Sequence, residues 1–345
     1  MSRNPKPPLL PVLVLLVLCM GAVDAGAQQL RFGHLNRSDG LIHSSVSSIV
    51  QDSRGFLWFG TKNGLTRYDG YSFVVYQNDP FDANSVSHNL IQTLYMDAQD
   101  VLWIGTYRGL NRFDTKTKQF IRYAHDPRTP GSLSNDVVTA IRRDRKGRLW
   151  VGTLDGLNVL DEGSGTFKRF GTDFGGGPLP NATVRAILED SGGILWFGTY
   201  GGLVRYEDGS GIAVFSHDPE NGSSIPSDVV MALSEDASGD LWLACWNGGL
   251  SRFDPKTGKA VSWSFPDNRL YVLETRYPGV VYAGSWGGGL NELDLFSGEG
   301  RVHKPDADDP YGLTHGVVYS LFLDDSGLLW IGNHEIGRES CRERV

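Results

Sequence analysis

Few side-chain groupings in this 345-residue chain could do chemistry. The best is an aromatic and polar set: Tyr107, Arg108, Tyr200, Trp246, Asn247 and Trp286. Flat rings beside amides and a guanidinium suit a sugar or another amphipathic small molecule, since rings cover apolar faces while polar groups orient. The same rings could instead pin their own loops. His125-Asp126-Pro127 and His217-Asp218-Pro219, with Asn78-Asp79-Pro80, offer metal-ligand types. They recur once per repeat, however, and a metal needs ligands that converge on one point. Turn formation by Asp-Pro is the better expectation. Asp306, Asp308 and Asp309 lack the spacing and terminal Glu of a calcium loop. Gly175-Gly176-Gly177-Pro178 lacks the Lys-Ser/Thr of a phosphate loop. No nucleophile elbow or zinc-binding His-Glu-x-x-His is present. The sequence therefore assigns no catalytic residue, no metal ligand and no cofactor.

The elements that must position the aromatic set are repeats. Seven segments align: Leu57-Trp58-Phe59-Gly60-Thr61, then the same pattern at Trp103, Trp150, Trp196 and Trp242, at Tyr282 with Tyr in the Trp place, and at Trp330. These anchors lie 45, 47, 46, 46, 40 and 48 residues apart. A short apolar run and a turn such as Asp52-Ser53-Arg54-Gly55 precede the anchor. A Gly-Leu-x-Arg-Tyr-Asp strand and a Phe-x-x-Tyr strand follow it. An Asp stands six residues before the anchor in six of the seven units. Asp can bond its own backbone, and Gly can take positive φ, as a tight turn requires.

Runs rich in Val, Ile, Phe, Tyr and Trp, punctuated by Gly, predict strands, and no sustained helical stripe appears. Four strands in about 45 residues is the size of one propeller blade. The predicted fold is all-β: a β-propeller of seven four-stranded blades with the last incomplete. Trp58, Trp103, Trp150, Trp196, Trp242 and Trp330 are expected to fill the space between blades. Arg67, Arg112, Arg205 and Arg252 are expected to be structural or solvated. The turn between the second and third strands should share a face with the connection to the next blade. That face then collects Lys62, Tyr107, Leu154, Tyr200, Trp246, Trp286 and His334 around the central channel. One extra Gly in Trp246-Asn247-Gly248-Gly249 and in Trp286-Gly287-Gly288-Gly289 suits a close backbone approach or a simple bulge.

Composition fits an exported globular chain. Net charge is −8, with both signs interspersed and no basic stripe, so nucleic acid is not an expected partner. Arg3 and Lys6, the apolar run from Leu9 to Met20, and Ala25-Gly26-Ala27 read as a signal peptide over 1–27, cut after Ala27. Cys19 falls inside it and Cys341 in the C-terminal tail, so Cys245 should stand alone without a disulfide. The propeller is expected over 28–334. Leu30 to Leu35 reads as a lone outer strand that completes the last blade. Residues 335–345 match no repeat and look like a non-native tail, which would leave the last blade one strand short and its edge unpaired.

Leu-Trp-x-Gly-Thr followed by Gly-Leu-x-Arg-Tyr-Asp resembles the two-component regulator propeller repeat, in register from Leu30 to Asn333. The paired Gly-His and Trp-Asp signatures of WD40 repeats are missing. The resemblance implies a periplasmic sensor region of a receptor anchored in the inner membrane. Its output would be a histidine kinase or a diguanylate cyclase. It further implies a small-molecule ligand, an oligosaccharide in several relatives, and a homodimeric full-length receptor whose downstream domains lie elsewhere in the chain. This stretch itself is then not an enzyme. The alternatives are a secreted carbohydrate-active propeller enzyme, a lyase or hydrolase, and a protein-interaction scaffold.

Overall fold

In each repeat a buried anchor strand pairs antiparallel with the strand before it across a tight turn. In the computed structural model the chain is described over residues 30–170, 178–306 and 308–334, with the backbone alone for 340–344. The expected signal segment 1–27 lies outside the described residues, as does the Gly175–Gly177 run. Blade one consists of Val46–Gln51, Leu57–Thr61, Gly64–Tyr68 and Phe73–Tyr76, paired in sequence order. Blades two to six repeat this meander, with first strands Ile91–Met96, Val138–Arg143, Val184–Glu189, Val230–Glu235 and Leu270–Glu274. Consecutive first strands contact one another around the whole circle, including Val318–Leu323 against Val46–Gln51, which closes the ring.

The seventh unit, expected to be an incomplete blade, differs from the other six. Six blades follow the four-strand plan, whereas the seventh supplies only two consecutive strands, Val318–Leu323 and Leu329–Asn333. The sheet is extended by the backbone of Ser340–Arg344 and, outside that, by Arg31–Leu35 from the N-terminus. The expectation of an unpaired edge is thus corrected: 340–344 occupies the third-strand place despite matching no repeat. Strand pairing is a backbone property, so a segment without the side-chain pattern can still fill a vacant ladder. Arg31–Leu35 is the outer strand, as its sequence suggests. Phe32 is buried there, and its N–H donates to the Tyr311 carbonyl at 2.9 Å.

The core is divided among the blade interfaces. Each of seven apolar clusters joins two adjacent blades. Trp58, Trp103, Trp150, Trp196 and Trp242 are completely buried, and Tyr282 and Trp330 almost so. Trp58 of blade one meets Phe113 of blade two edge-on at 5.7 Å, and Trp196 meets Phe253 likewise at 5.7 Å. A Trp removed from such a site costs about 3–5 kcal/mol. The Gly of the anchor motif is required by closeness: a Cβ on Gly105 would sit 2.7 Å from Val138 of the next blade.

Candidate functional site

Two rings of equivalent residues, one from each blade, supply most of the cavity lining, and the repeat builds both. The upper ring is the residue after the anchor strand: Lys62, Tyr107, Leu154, Tyr200, Trp246, Trp286 and His334. In every blade its N–H donates to the carbonyl of the residue just before the first strand, as in Trp246 to Val229 at 2.9 Å and Lys62 to Ser45 at 3.3 Å. The following Gly donates to the connection into the next blade, for example Gly109 to Asp136 at 2.7 Å. These bonds hold the turns and connections on one face, as the sequence predicts.

The lower ring comes from a β-bulge near the start of each first strand. Pairing with the anchor strand skips one residue between Val46 and Ser48, Ile91 and Thr93, Val138 and Ala140, Val184 and Ala186, Val230 and Ala232, Leu270 and Val272, and Val318 and Ser320. The skipped residues are Ser47, Gln92, Thr139, Arg185, Met231, Tyr271 and Tyr319. A bulge re-aims a side chain, and all of these except Thr139 line the cavity. Thr139 instead donates to the Val184 carbonyl of the next blade.

The cavity holds about 600 Å³, within the usual range for small-ligand sites. One side is an aromatic wall. Trp246 meets Trp286 at 5.5 Å, Trp286 meets Tyr271 at 5.7 Å and Tyr319 at 5.2 Å, and Tyr319 stacks on His334 at 4.9 Å. Arg185 reaches from blade four to blade six, where Nη2 donates to Tyr271 Oη at 2.5 Å. Lys62 places its ammonium 3.0 Å from His334 Nε2 and 5.8 Å from the Tyr319 ring centre.

Burial and neighbouring charge set the protonation states. Burial, then the Lys62 charge, lowers the His334 pKa. Burial also lowers the pKa of Lys62 and raises that of Tyr319. His43, His88 and His315 precede the first strands of blades one, two and seven. Each accepts a backbone N–H on Nδ1, from Ser45 at 2.9 Å, Leu90 at 3.0 Å and Val317 at 3.0 Å. Asn135 and Asn181 accept the equivalent bond in blades three and four at 2.8 Å. All three imidazoles have lowered pKa values, caused chiefly by burial.

Of the residues singled out from sequence, Tyr107, Tyr200, Trp246 and Trp286 line the cavity. Arg108 and Asn247 do not: both are exposed on the turns, and Asn247 adopts φ 61. Here the expectation is corrected, because the tight turn sends only its first residue inward. Arg185, Tyr271, Tyr319 and Gln92 were missed. Their signal was the residue after the apolar opening of each first strand, hidden because a bulge breaks the expected alternation.

The extra glycines mark close approach. A Cβ on Gly248 would lie 2.8 Å from Ser227 Cβ, and one on Gly288 would lie 2.6 Å from Asp267 Cβ. The His-Asp-Pro segments tie down connections. His125 Nδ1 donates to the Leu133 carbonyl at 2.6 Å, and His217 Nδ1 to Ile225 at 2.9 Å. Asn78 does the same for Val86 at 2.7 Å.

The family model described as two component regulator propeller matches residues 40–63, 85–108, 132–155, 178–201 and 312–335. Histidine kinase P4 of Formosa agariphila is 51% identical over 49 residues, which are 14% of this chain and 4% of that protein. Among solved structures, the extracellular domain of a candidate hybrid two-component system of B. thetaiotaomicron, BT3049, is similar with a TM-score of 0.79 and 26% identity. That likeness covers 91% of this chain and 42% of the other, so this chain spans under half of that domain's length. Virginiamycin B lyase from Staphylococcus aureus shares the fold alone, at TM-score 0.69 and 14% identity over 92% of this chain and all of the other. The matches recur in register with the blades, so this chain carries two-component regulator propeller repeats.

Proposed function

We propose that this chain is the ligand-sensing, extracytoplasmic propeller of a bacterial signal-transduction receptor. Its ligand is a small amphipathic molecule, an oligosaccharide in the first instance, bound in the cavity at the channel mouth. The export signal is residues 1–27. The output, a histidine kinase or a diguanylate cyclase, belongs to receptor sequence beyond this stretch, and the full-length receptor is a membrane-anchored homodimer. The supporting observation is the uneven channel. A sevenfold scaffold concentrates its cavity aromatics on blades five to seven, where Trp246, Tyr271, Trp286 and Tyr319 contact one another, while blades two and four add only Tyr107 and Tyr200 beside Gln92 and Arg185. A purely structural plug gives no reason for that asymmetry.

An enzymatic propeller fits less well. Acid–base chemistry needs a paired proton donor and acceptor aimed at the substrate. The imidazole nearest the cavity, His334, contacts Lys62 and Ser45 at 3.0 Å and 3.2 Å, with no carboxylate beside it among the described residues. Two measurements test the reading. A thermal-shift screen of saccharides should find one that raises Tm in the wild-type protein and not in Trp246→Ala. Extending the genomic reading frame past Asn333 should reach a membrane helix and a kinase or cyclase. A frame that stops at Val345 overturns the receptor assignment.

A further inference from the structure

The charge inventory of the cavity is one-sided. Lys62 and Arg185 both line it, and no Asp or Glu does. This occurs in a chain whose net charge is −8. Elsewhere several cations have acidic partners: Arg148 holds Asp144 and Asp208, Arg252 holds Asp236 and Asp240, and Arg269 holds Asp267. Lys62 and Arg185 form no ion pair among the described residues. The Arg185 guanidinium makes one bond, to Tyr271 Oη, and its Nε is buried without a hydrogen-bond partner. A buried donor left unpaired is costly, and a guanidinium's fork matches a planar oxyanion. Lys62 sits against neutral acceptors and a ring face, from which a ligand carboxylate could draw it at little cost.

We propose that the cavity takes an acidic saccharide, with a carboxylate or sulfate held between Lys62 and Arg185 and a sugar face laid on Trp246 and Trp286. This rests on the ligand-sensing reading above and adds the charge of the ligand. The two cations set specificity by electrostatics. A neutral sugar of the same shape would leave both unpaired and gain only the ring contacts. Asp267, packed against Gly288 of the Trp286 turn, is already engaged by Arg269 through two bonds of 2.8 Å and does not line the cavity.

The test is calorimetric titration of the whole chain with matched trisaccharides. The acidic probes are trimers of glucuronate, galacturonate and mannuronate, together with a 6-sulfated galactose trimer. The neutral probes are the corresponding glucose, galactose and mannose trimers. At least one acidic trimer should bind about tenfold or more tightly than its neutral counterpart, as the loss of one charge-assisted bond would produce. Lys62→Gln and Arg185→Gln should each remove that preference, and Lys62→Arg should restore it. The advantage should shrink as salt rises. Unchanged Tm values in both Gln variants show that folding is intact. Equal binding of acidic and neutral trimers overturns the charge assignment while the sugar-sensing reading stands. No binding by any probe overturns both.

Discussion

The indole Nε1 of Trp196 donates to Asp190 Oδ2 at 2.8 Å, while Oδ1 of the same carboxylate accepts the N–H of Ile194 at 2.9 Å. One Asp thus closes the hairpin turn and satisfies the polar atom of the ring that fills the blade interface. The pairing recurs between Trp58 and Asp52, Trp103 and Asp97, Trp150 and Asp144, Trp242 and Asp236, and Trp330 and Asp324, at 2.7–3.1 Å. Blade six, with Tyr282 in the Trp place, has no such Asp, and Tyr282 stands edge-on to Tyr277 at 5.9 Å.

Asp190→Ala should destabilise the propeller by about 2–4 kcal/mol. It strands a buried indole N–H and loses charge-assisted turn bonds, each worth about 1.5–3 kcal/mol. Chemical denaturation followed by Trp fluorescence measures this. A loss below about 0.5 kcal/mol would show that the pair is incidental.

Trp246→Ala should weaken ligand binding while leaving the fold intact. Trp246 is half-buried on a turn, outside the seven interface clusters, and its ring partner Trp286 remains held by Tyr271 and Tyr319. The expected result is a Tm drop of at most a few degrees with at least a tenfold loss of affinity, in line with about 1.4 kcal/mol per decade. A parallel collapse of stability would place Trp246 in the core instead.

Acidification should weaken the fold below pH 6.5. His43, His88 and His315 are lowered from that value, chiefly by burial, and each uses Nδ1 to accept a backbone N–H. Between the folded pKa and 6.5 the unfolded chain binds more protons than the folded one, so stability falls as pH falls through that window. Replacing all three by Asn, which fills the same role at Asn135 and Asn181, should keep the backbone bonds and flatten this part of the Tm profile. A profile unchanged by the triple substitution would assign the acid sensitivity to other groups.

Cys245 should resist thiol reagents in the folded protein at pH 8. Its side chain is completely buried, and burial pushes its pKa up to about 12, so the reactive thiolate is scarce. Peptide mapping after iodoacetamide treatment should find Cys245 unmodified until denaturant is added. Rapid native labelling would mean that blade five opens locally.

The repeat was legible in sequence because every blade solves one local problem with the same residues. Trp must fill an interface, Asp must close a turn, and Gly105 and its counterparts must let the next blade approach. Those demands determined the sevenfold anchors, the strand order within each blade and the upper ring holding Tyr107, Tyr200, Trp246 and Trp286. Tertiary structure alone decided the rest. The bulges that turn Arg185, Tyr271 and Tyr319 into the channel leave no mark in an alternation pattern, because they arise where a first strand meets its anchor strand in three dimensions. The same holds for Arg185, whose partner Tyr271 is 86 residues away and two blades around the ring. Closure also lay beyond local pattern. The seventh sheet draws on Arg31–Leu35 and Ser340–Arg344, joined by backbone ladders that depend on where the chain ends meet and not on which side chains they carry.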